Sequence, residues 1–278
     1  MKAQAQRDAA ALRIRARRDV SAQLAGAYRS AFRGRGLIFE ELRDYAPGED
    51  ASRIDWNATA RFGRPIVRRM REERDLVVAL LVDVSPSLEA GRTPGPRRSA
   101  VRRAAAALAT AAARAQDRVA LATFADEVVA TLAPEPGPRQ LFRVYEALGA
   151  APASGRTDAR CALDWAADTL PRHSVVVLIS DMLFPDPGPA LARCARKHDL
   201  VALRVVDPSD RLPARSAPVR VLGAEGGQRA LWRSRRVSQH LADARLRQAG
   251  AATGTLHTGA ELVASLHHFF RRRGRGPS

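Results

Sequence analysis

The sequence predicts an α/β protein, a mostly parallel sheet flanked by helices with an N-terminal helical and extended appendage. Three observations carry this. Residues 76–87, LVVALLVDVSPS, form a continuous apolar run that breaks at Asp83, the pattern of a central strand buried on both faces. Residues 174–181, SVVVLISD, repeat the design. Around them, short Val- and Leu-rich runs alternate with Ala- and Leu-rich helical runs, and such alternation builds a parallel sheet with covered faces.

Taken in order, residues 3–31 are helix-compatible, with Leu12, Ile14, Val20, Leu24 and Ala27 set among arginines that form a solvated face. Gly34 and Gly36 end that helix, and residues 37–39 begin an extended segment. In residues 39–75 Pro47-Gly48 marks a turn, and Glu49 and Asp50 face Arg43, Arg53 and Arg61 across a short stretch. Tyr45 and Trp56 in this segment predict a packed, hydrogen-bonded layer, because large aromatic rings gain from burial. After the break at Pro94-Gly95-Pro96 come a helix over 97–115, strands over 119–124 and 127–132 around Ala125-Asp126, a loop over 134–138 and a helix over 140–148. The loop Gly155-Arg156-Thr157-Asp158 precedes a helix over 159–170. Beyond the strand at 174–181 the pattern gives a helix over 190–197, a strand over 200–206, an edge strand over 219–222, a helix over 234–248, a strand over 253–257 and a closing helix over 260–273. The organisation predicted is an appendage over 1–75, an α/β domain over 76–270 and a basic tail over 271–278.

Composition excludes several classes. No apolar run approaches the roughly 18 residues a membrane span needs, and the charged N-terminus lacks the apolar centre of a signal peptide; a soluble, cytoplasmic protein is expected. Cys161 and Cys194 are the only cysteines, too few for a disulfide framework and too isolated for zinc. No H-E-x-x-H, G-x-S-x-G or P-loop pattern occurs. The net charge of +17 points toward polyanions. Yet Lys2 and Lys197 are the only lysines among 46 basic residues, and aromatics make up 5%. So strong a bias toward arginine is that of base composition, and the sparse aromatics speak against an RNA-binding sheet; nucleic acid is not the expected partner.

The chemistry lies at the strand ends, where open α/β sheets bind ligands. Asp83, Ser85 and Ser87 follow the first apolar strand, Asp181 ends the second, and Thr157 sits in the loop between. If the two strands are neighbours, their carboxylates emerge about 5 Å apart and repel unless a cation or proton intervenes. Hard cations such as Mg²⁺ take oxygen donors of this kind. Each residue taken singly also fits a helix cap or a turn.

The order DxSxS…T…D over Asp83, Ser85, Ser87, Thr157 and Asp181 resembles the metal-ion-dependent adhesion site of von Willebrand factor A domains. Upstream, Phe39, Leu42, Arg43, Tyr45, Pro47, Gly48, Arg53, Ile54, Asp55, Trp56, Ala60 and Arg61 resemble the signature of the DUF58 family, with Glu49 where the pattern usually has Asp. The resemblance implies a Rossmann-like von Willebrand A domain over 76–270. Ser85, Ser87 and Thr157 would contact Mg²⁺ (or Mn²⁺ or Ca²⁺) directly or nearly so, with Asp83 and Asp181 acting largely through water. It further implies a non-enzymatic adaptor that offers the ion to a partner carboxylate, on a MoxR-type AAA+ ATPase or its client. Two readings of the signature stay open: Arg43, Asp55 and Arg61 tie the N-terminal layer onto the α/β domain, or Arg43, Tyr45, Arg53, Asp55, Trp56 and Arg61 form a docking face. The rival functions are a Mg²⁺-dependent phosphoester enzyme, for which no general base or phosphate-cradling loop is apparent in the sequence, and a protein that binds nucleic acid or an anionic surface.

Overall fold

A computed structural model describes residues 2–20, 22–32, 37–46, 48–72, 76–89, 96–149, 155–207, 243–258 and 262–274. In chain order the elements are α1 (Lys2–Asp19), α2 (Ala22–Phe32), β1 (Leu37–Asp44), α3 (Trp56–Phe62), β2 (Ile66–Glu72), β3 (Val77–Asp83), α4 (Pro96–Arg114), β4 (Arg118–Phe124), β5 (Val128–Glu135), α5 (Gly137–Gly149), α6 (Arg160–Thr169), β6 (Val175–Ser180), α7 (Gly188–Lys197), β7 (Asp199–Val206), β8 (Ala252–His257) and α8 (Leu262–Gly274). Six strands form one sheet in the order β5-β4-β3-β6-β7-β8, parallel except for the antiparallel edge strand β5. This is the Rossmann-like fold class of von Willebrand A type that the sequence predicts.

β3 is apolar at every position down to Asp83 because both its faces are covered. Val78, Leu80 and Val82 enter a core shared with α1, α2, α4, α5 and α8, while Val77, Ala79 and Leu81 enter a second core with α6 and α7. The central helix α4 is rich in alanine for a related reason. It lies against the sheet on one side and α1 on the other, and small side chains let both neighbours approach closely; Ala104 to Ala109 are all buried. The chain runs from β3 outward to β4 and β5, then returns to place β6 on the other flank of β3. That reversal opens the crevice at the carboxyl ends of β3 and β6.

The N-terminal region differs from expectation. The helix predicted over 3–31 is two helices, α1 and α2, with Val20 between them and its carbonyl taking a 2.7 Å hydrogen bond from Arg114. The buried stripe is Ala9, Leu12, Ala16 and Val20, while Ile14 is exposed. α2 is fastened to α8 by a cluster of Tyr28, Phe32 and Phe270, with ring centroids 5.0–6.0 Å apart. Tyr28 donates a 2.8 Å hydrogen bond to buried Asp117, and burial, reinforced by that carboxylate, pushes its hydroxyl well above the usual tyrosine range.

Of the stretch 1–75, α1 and α2 thus share the core of the sheet, while β1 pairs only with β2 among the described strands, antiparallel from Leu37↔Glu72 to Asp44↔Ile66. β2 and α3 were not foreseen. The packed environment predicted for Trp56 is corrected: it is 70% exposed, because it opens α3, whose buried face is Ala58 beside Ile66 and Val67 of β2. α8 ends at Gly274, next to the end of the closing helix predicted over 260–273, and its last turn is held by Arg273, which pairs with Asp199 of β7 and lies 5.2 Å over the Phe32 ring. β5 reaches Glu135, inside the loop predicted over 134–138. The edge strand predicted over 219–222 lies outside the described residues, as does the start of the helix predicted over 234–248, of which 243–248 are helical.

Candidate metal centre

β3 delivers Asp83 to the crevice, and its carboxylate folds the next residues back by accepting the Ser85 N–H at 2.8 Å. The Val84 N–H meanwhile donates to the Phe124 carbonyl at 2.9 Å, fixing this loop to β4. A short 3-10 turn over Pro86–Glu89 follows, pinned by fully buried Leu88, and sets the Ser87 hydroxyl 2.9 Å from that of Ser85.

Thr157 arrives from the other side. Its loop is anchored to the β4–β5 turn, where the Asp158 N–H donates to the Ala125 carbonyl at 2.8 Å. Gly155, at φ +105°, lies so close to Asp126 that a Cβ would stand 2.4 Å from the carboxylate, so only glycine fits there. The Thr157 hydroxyl donates to Ser85 Oγ at 2.7 Å and lies 3.3 Å from Ser87 Oγ.

β6 supplies the second carboxylate. Asp181 follows the strand directly, and its Oδ1 accepts the Leu183 N–H at 3.0 Å. Asp83, Ser85, Ser87, Thr157 and Asp181 are all buried, and β3 and β6 are adjacent. The five residues therefore stand on one rim. Burial, then the charge of Asp181, raises the Asp83 carboxyl to about 7, against the lowering effect of hydrogen bonds from Ser180 and Ser85.

Sequence reasoning missed Ser180. Fully buried at the end of β6, it donates a 2.6 Å hydrogen bond to Asp83 Oδ2 and accepts the Met182 N–H at 3.0 Å. The signal was a lone hydroxyl closing an otherwise apolar strand, immediately before the second aspartate. Met182, buried, adopts a left-handed φ of 59°, a conformation unfavourable for a bulky side chain. The two flanking side-chain acceptors hold it there, so strain is stored beside the rim.

The donors are two carboxylates and three hydroxyls, all oxygen. That set suits Mg²⁺, Mn²⁺ or Ca²⁺ and not a thiophilic metal. Among the described residues no group of three or more His, Cys, Asp or Glu converges to hold a metal, so an ion at this rim would depend on the hydroxyls. The residues fit such an ion on a second ground: a positive charge between Asp83 and Asp181 would relieve the repulsion that raises the Asp83 carboxyl.

The signature residues are held within the β1–α3–β2 module. Asp55 caps α3 by accepting the N–H groups of Asn57 and Ala58 at 3.0 and 3.1 Å. Arg43 pairs with Glu49, whose longer side chain reaches it, and the Tyr45 hydroxyl donates to the Glu49 carbonyl at 3.0 Å. Tyr45 is half-buried and Arg61 is exposed, while the side chain of Arg53 lies outside the described residues.

A family model described as a protein of unknown function, DUF58, matches residues 41–252. An uncharacterized protein of Mycobacterium tuberculosis is 32% identical over 253 residues, which cover 85% of this chain and 79% of that protein, and an uncharacterized protein of Mycobacterium bovis matches to the same extent. Among solved structures, the conserved hypothetical protein BatB from Bacteroides thetaiotaomicron aligns with a TM-score of 0.50 at 14% identity, covering 72% of this chain and 100% of that one. The likeness to BatB is one of fold.

Proposed function

The chain belongs to the DUF58 family, and on that premise we propose that it is a non-enzymatic, metal-dependent adaptor that binds a protein partner through a divalent cation, Mg²⁺ foremost. Ser85, Ser87 and Thr157 would hold the ion, with Asp83 and Asp181 balancing its charge and Ser180 orienting Asp83. Hydroxyl donors neutralise little of the cation's charge, so the bound ion supplies a Lewis-acidic position for an outside carboxylate. The observation that supports this reading is the meeting of three hydroxyls from two distant loops, Thr157 Oγ1 to Ser85 Oγ at 2.7 Å, beside two buried carboxylates that repel each other.

The resemblance of the signature to that of other DUF58 proteins makes a MoxR-type AAA+ ATPase, or a client of one, the partner of choice. An acidic residue on that partner is the group the ion would receive. The exposed aromatic residues of α3, Trp56 and Phe62, offer a second contact, since tryptophan is enriched among the residues that anchor protein interfaces.

The test has two parts. Titration with Mn²⁺, followed by electron paramagnetic resonance, is expected to show one bound ion in the wild type and none in Asp181→Asn. Capture of a purified MoxR-type ATPase is expected to require the metal and to vanish in Asp83→Ala, with the circular dichroism of the variant unchanged. Metal-independent capture would overturn the adaptor reading. So would metal-dependent hydrolysis of a phosphoester that disappears in Asp181→Asn.

A further inference from the structure

The parallel strands put the oxygen-lined rim at their carboxyl ends, and the chain gathers a different chemistry at their amino ends, beneath β6 and β7. Four elements meet there. The His173 N–H donates to the Lys197 carbonyl at 2.8 Å, which joins the turn between α6 and β6 to the end of α7. Arg273 pairs with Asp199 at the start of β7 and so brings the last turn of α8 to the same place. α2 ends beside α8, so closely that a Cβ on Gly274 would stand 2.6 Å from the Ser30 hydroxyl. These ends carry five exposed arginines, Arg29, Arg172, Arg196, Arg271 and Arg272. None of the five has a hydrogen bond or ion pair among the described residues. The carboxylates of the same elements are taken, Asp199 by Arg273, and Asp164 and Asp168 by Arg193 at 2.6 and 3.3 Å. A helix carboxyl end attracts basic side chains with about half a charge, so the ends of α2, α7 and α8 offset roughly one and a half of the five. Arg172 stands in a turn, outside any helix. An arginine-rich composition accounts for the number of guanidinium groups, and not for carboxylates that are all engaged elsewhere.

We propose that this end of the sheet docks on an anionic phospholipid surface. The five guanidinium groups come from separate helix ends and a turn, so they present charge as a set of points across one end of the molecule, and each fork matches the oxygens of a lipid headgroup. A nucleic acid fits less well. The helices meet solvent here by their ends, and none is laid out to enter a groove. None of the exposed large apolar side chains among the described residues belongs to these elements, so they offer no aromatic platform for bases. Docked in this way, the protein turns the rim at the other ends of the strands away from the bilayer. The docking does not depend on an ion at that rim.

The experiment is cosedimentation of the full chain with phosphatidylcholine vesicles, with and without phosphatidylserine, in low-salt buffer free of divalent ions. The wild type is expected to sediment only with vesicles that contain phosphatidylserine, and added salt should release it. Arg172→Gln combined with Arg196→Gln, and separately Arg271→Gln combined with Arg272→Gln, should each weaken binding about thirtyfold, the loss of two surface charges near the lipid. Arg13→Gln combined with Arg156→Gln removes the same charge from exposed positions elsewhere and should bind as the wild type does. All these side chains are exposed, so the urea midpoints of the variants should match that of the wild type and keep the comparison decisive. Equal binding by the three double variants would assign the attraction to net charge and overturn the proposal, as would a wild type that ignores phosphatidylserine. Binding of a mixed-sequence DNA duplex that falls in the first two variants, with vesicles left unbound, would overturn it in favour of nucleic acid.

Discussion

At the rim above β3 and β6, polar residues separated by almost a hundred positions are buried together and hold one another by hydrogen bonds, as Ser180 holds Asp83. In the β1–α3–β2 module Asp55 caps its own helix and Arg43 and Tyr45 hold Glu49, only a few residues along the chain, while Trp56 stands 70% exposed. Both regions were conspicuous in the sequence. The difference teaches that a motif's density along the chain says little about depth: the sparse motif is the buried one, and the dense motif presents a surface.

Four measurements break or sharpen this contrast. The largest effect is expected from pH on metal-free protein. The folded pKa of Asp83, about 7, lies above the ordinary aspartate value of 3.8, so the folded state holds this proton more tightly than the unfolded one. The stability the proton confers is full below about pH 4 and is lost as pH rises to about 7. Its upper limit is ~4 kcal/mol, and sharing of the proton with Asp181 reduces it. Urea midpoints across this range should fall in the wild type and flatten in Asp83→Asn; parallel curves would mean that the carboxylates are not crowded.

Next is metal addition. Mg²⁺ at a hundredfold excess over its dissociation constant should stabilise the wild type by about 2.7 kcal/mol, and Thr157→Val should remove most of that gain. An unshifted wild-type midpoint would remove the metal from the account of the rim. Asp55→Ala should cost about 1 kcal/mol through the lost cap while leaving the Mg²⁺ response intact; a lost response would show that the module and the rim are coupled. The smallest effect belongs to Trp56→Ala, within about 0.5 kcal/mol of wild type yet impaired in capture of the ATPase. A destabilisation of several kcal/mol would mean that the ring is packed after all.

Much of the sheet was legible. β3 and β6 read directly from their apolar runs, and the five oxygen-bearing residues read from their positions after those runs. Ser180 escaped notice because a hydroxyl inside an apolar run has no periodicity to betray it; its role exists only where β6 lies beside β3 and brings it to Asp83. α1 was obscured for the opposite reason. Its buried stripe runs through Ala9 and Ala16, which carry little hydrophobic signal, while Ile14 is the apolar residue that faces outward. Trp56 misled because burial was inferred from ring size, whereas the ring opens a short helix and stands exposed among the described residues.

Within the α/β domain, local sequence set where most strands and helices lie, that β3 and β6 are covered on both faces, and which residues carry oxygen at their ends, because these follow from side-chain periodicity and backbone preference within a few residues; β2 and α3 were beyond its reach. Only the tertiary structure decided that β6 returns to the flank of β3, that α1 lies against α4, and that α8 carries Arg273 to Asp199. Burial and electrostatic strain are properties of what another element places over a residue, and no local pattern along the chain encodes that neighbour.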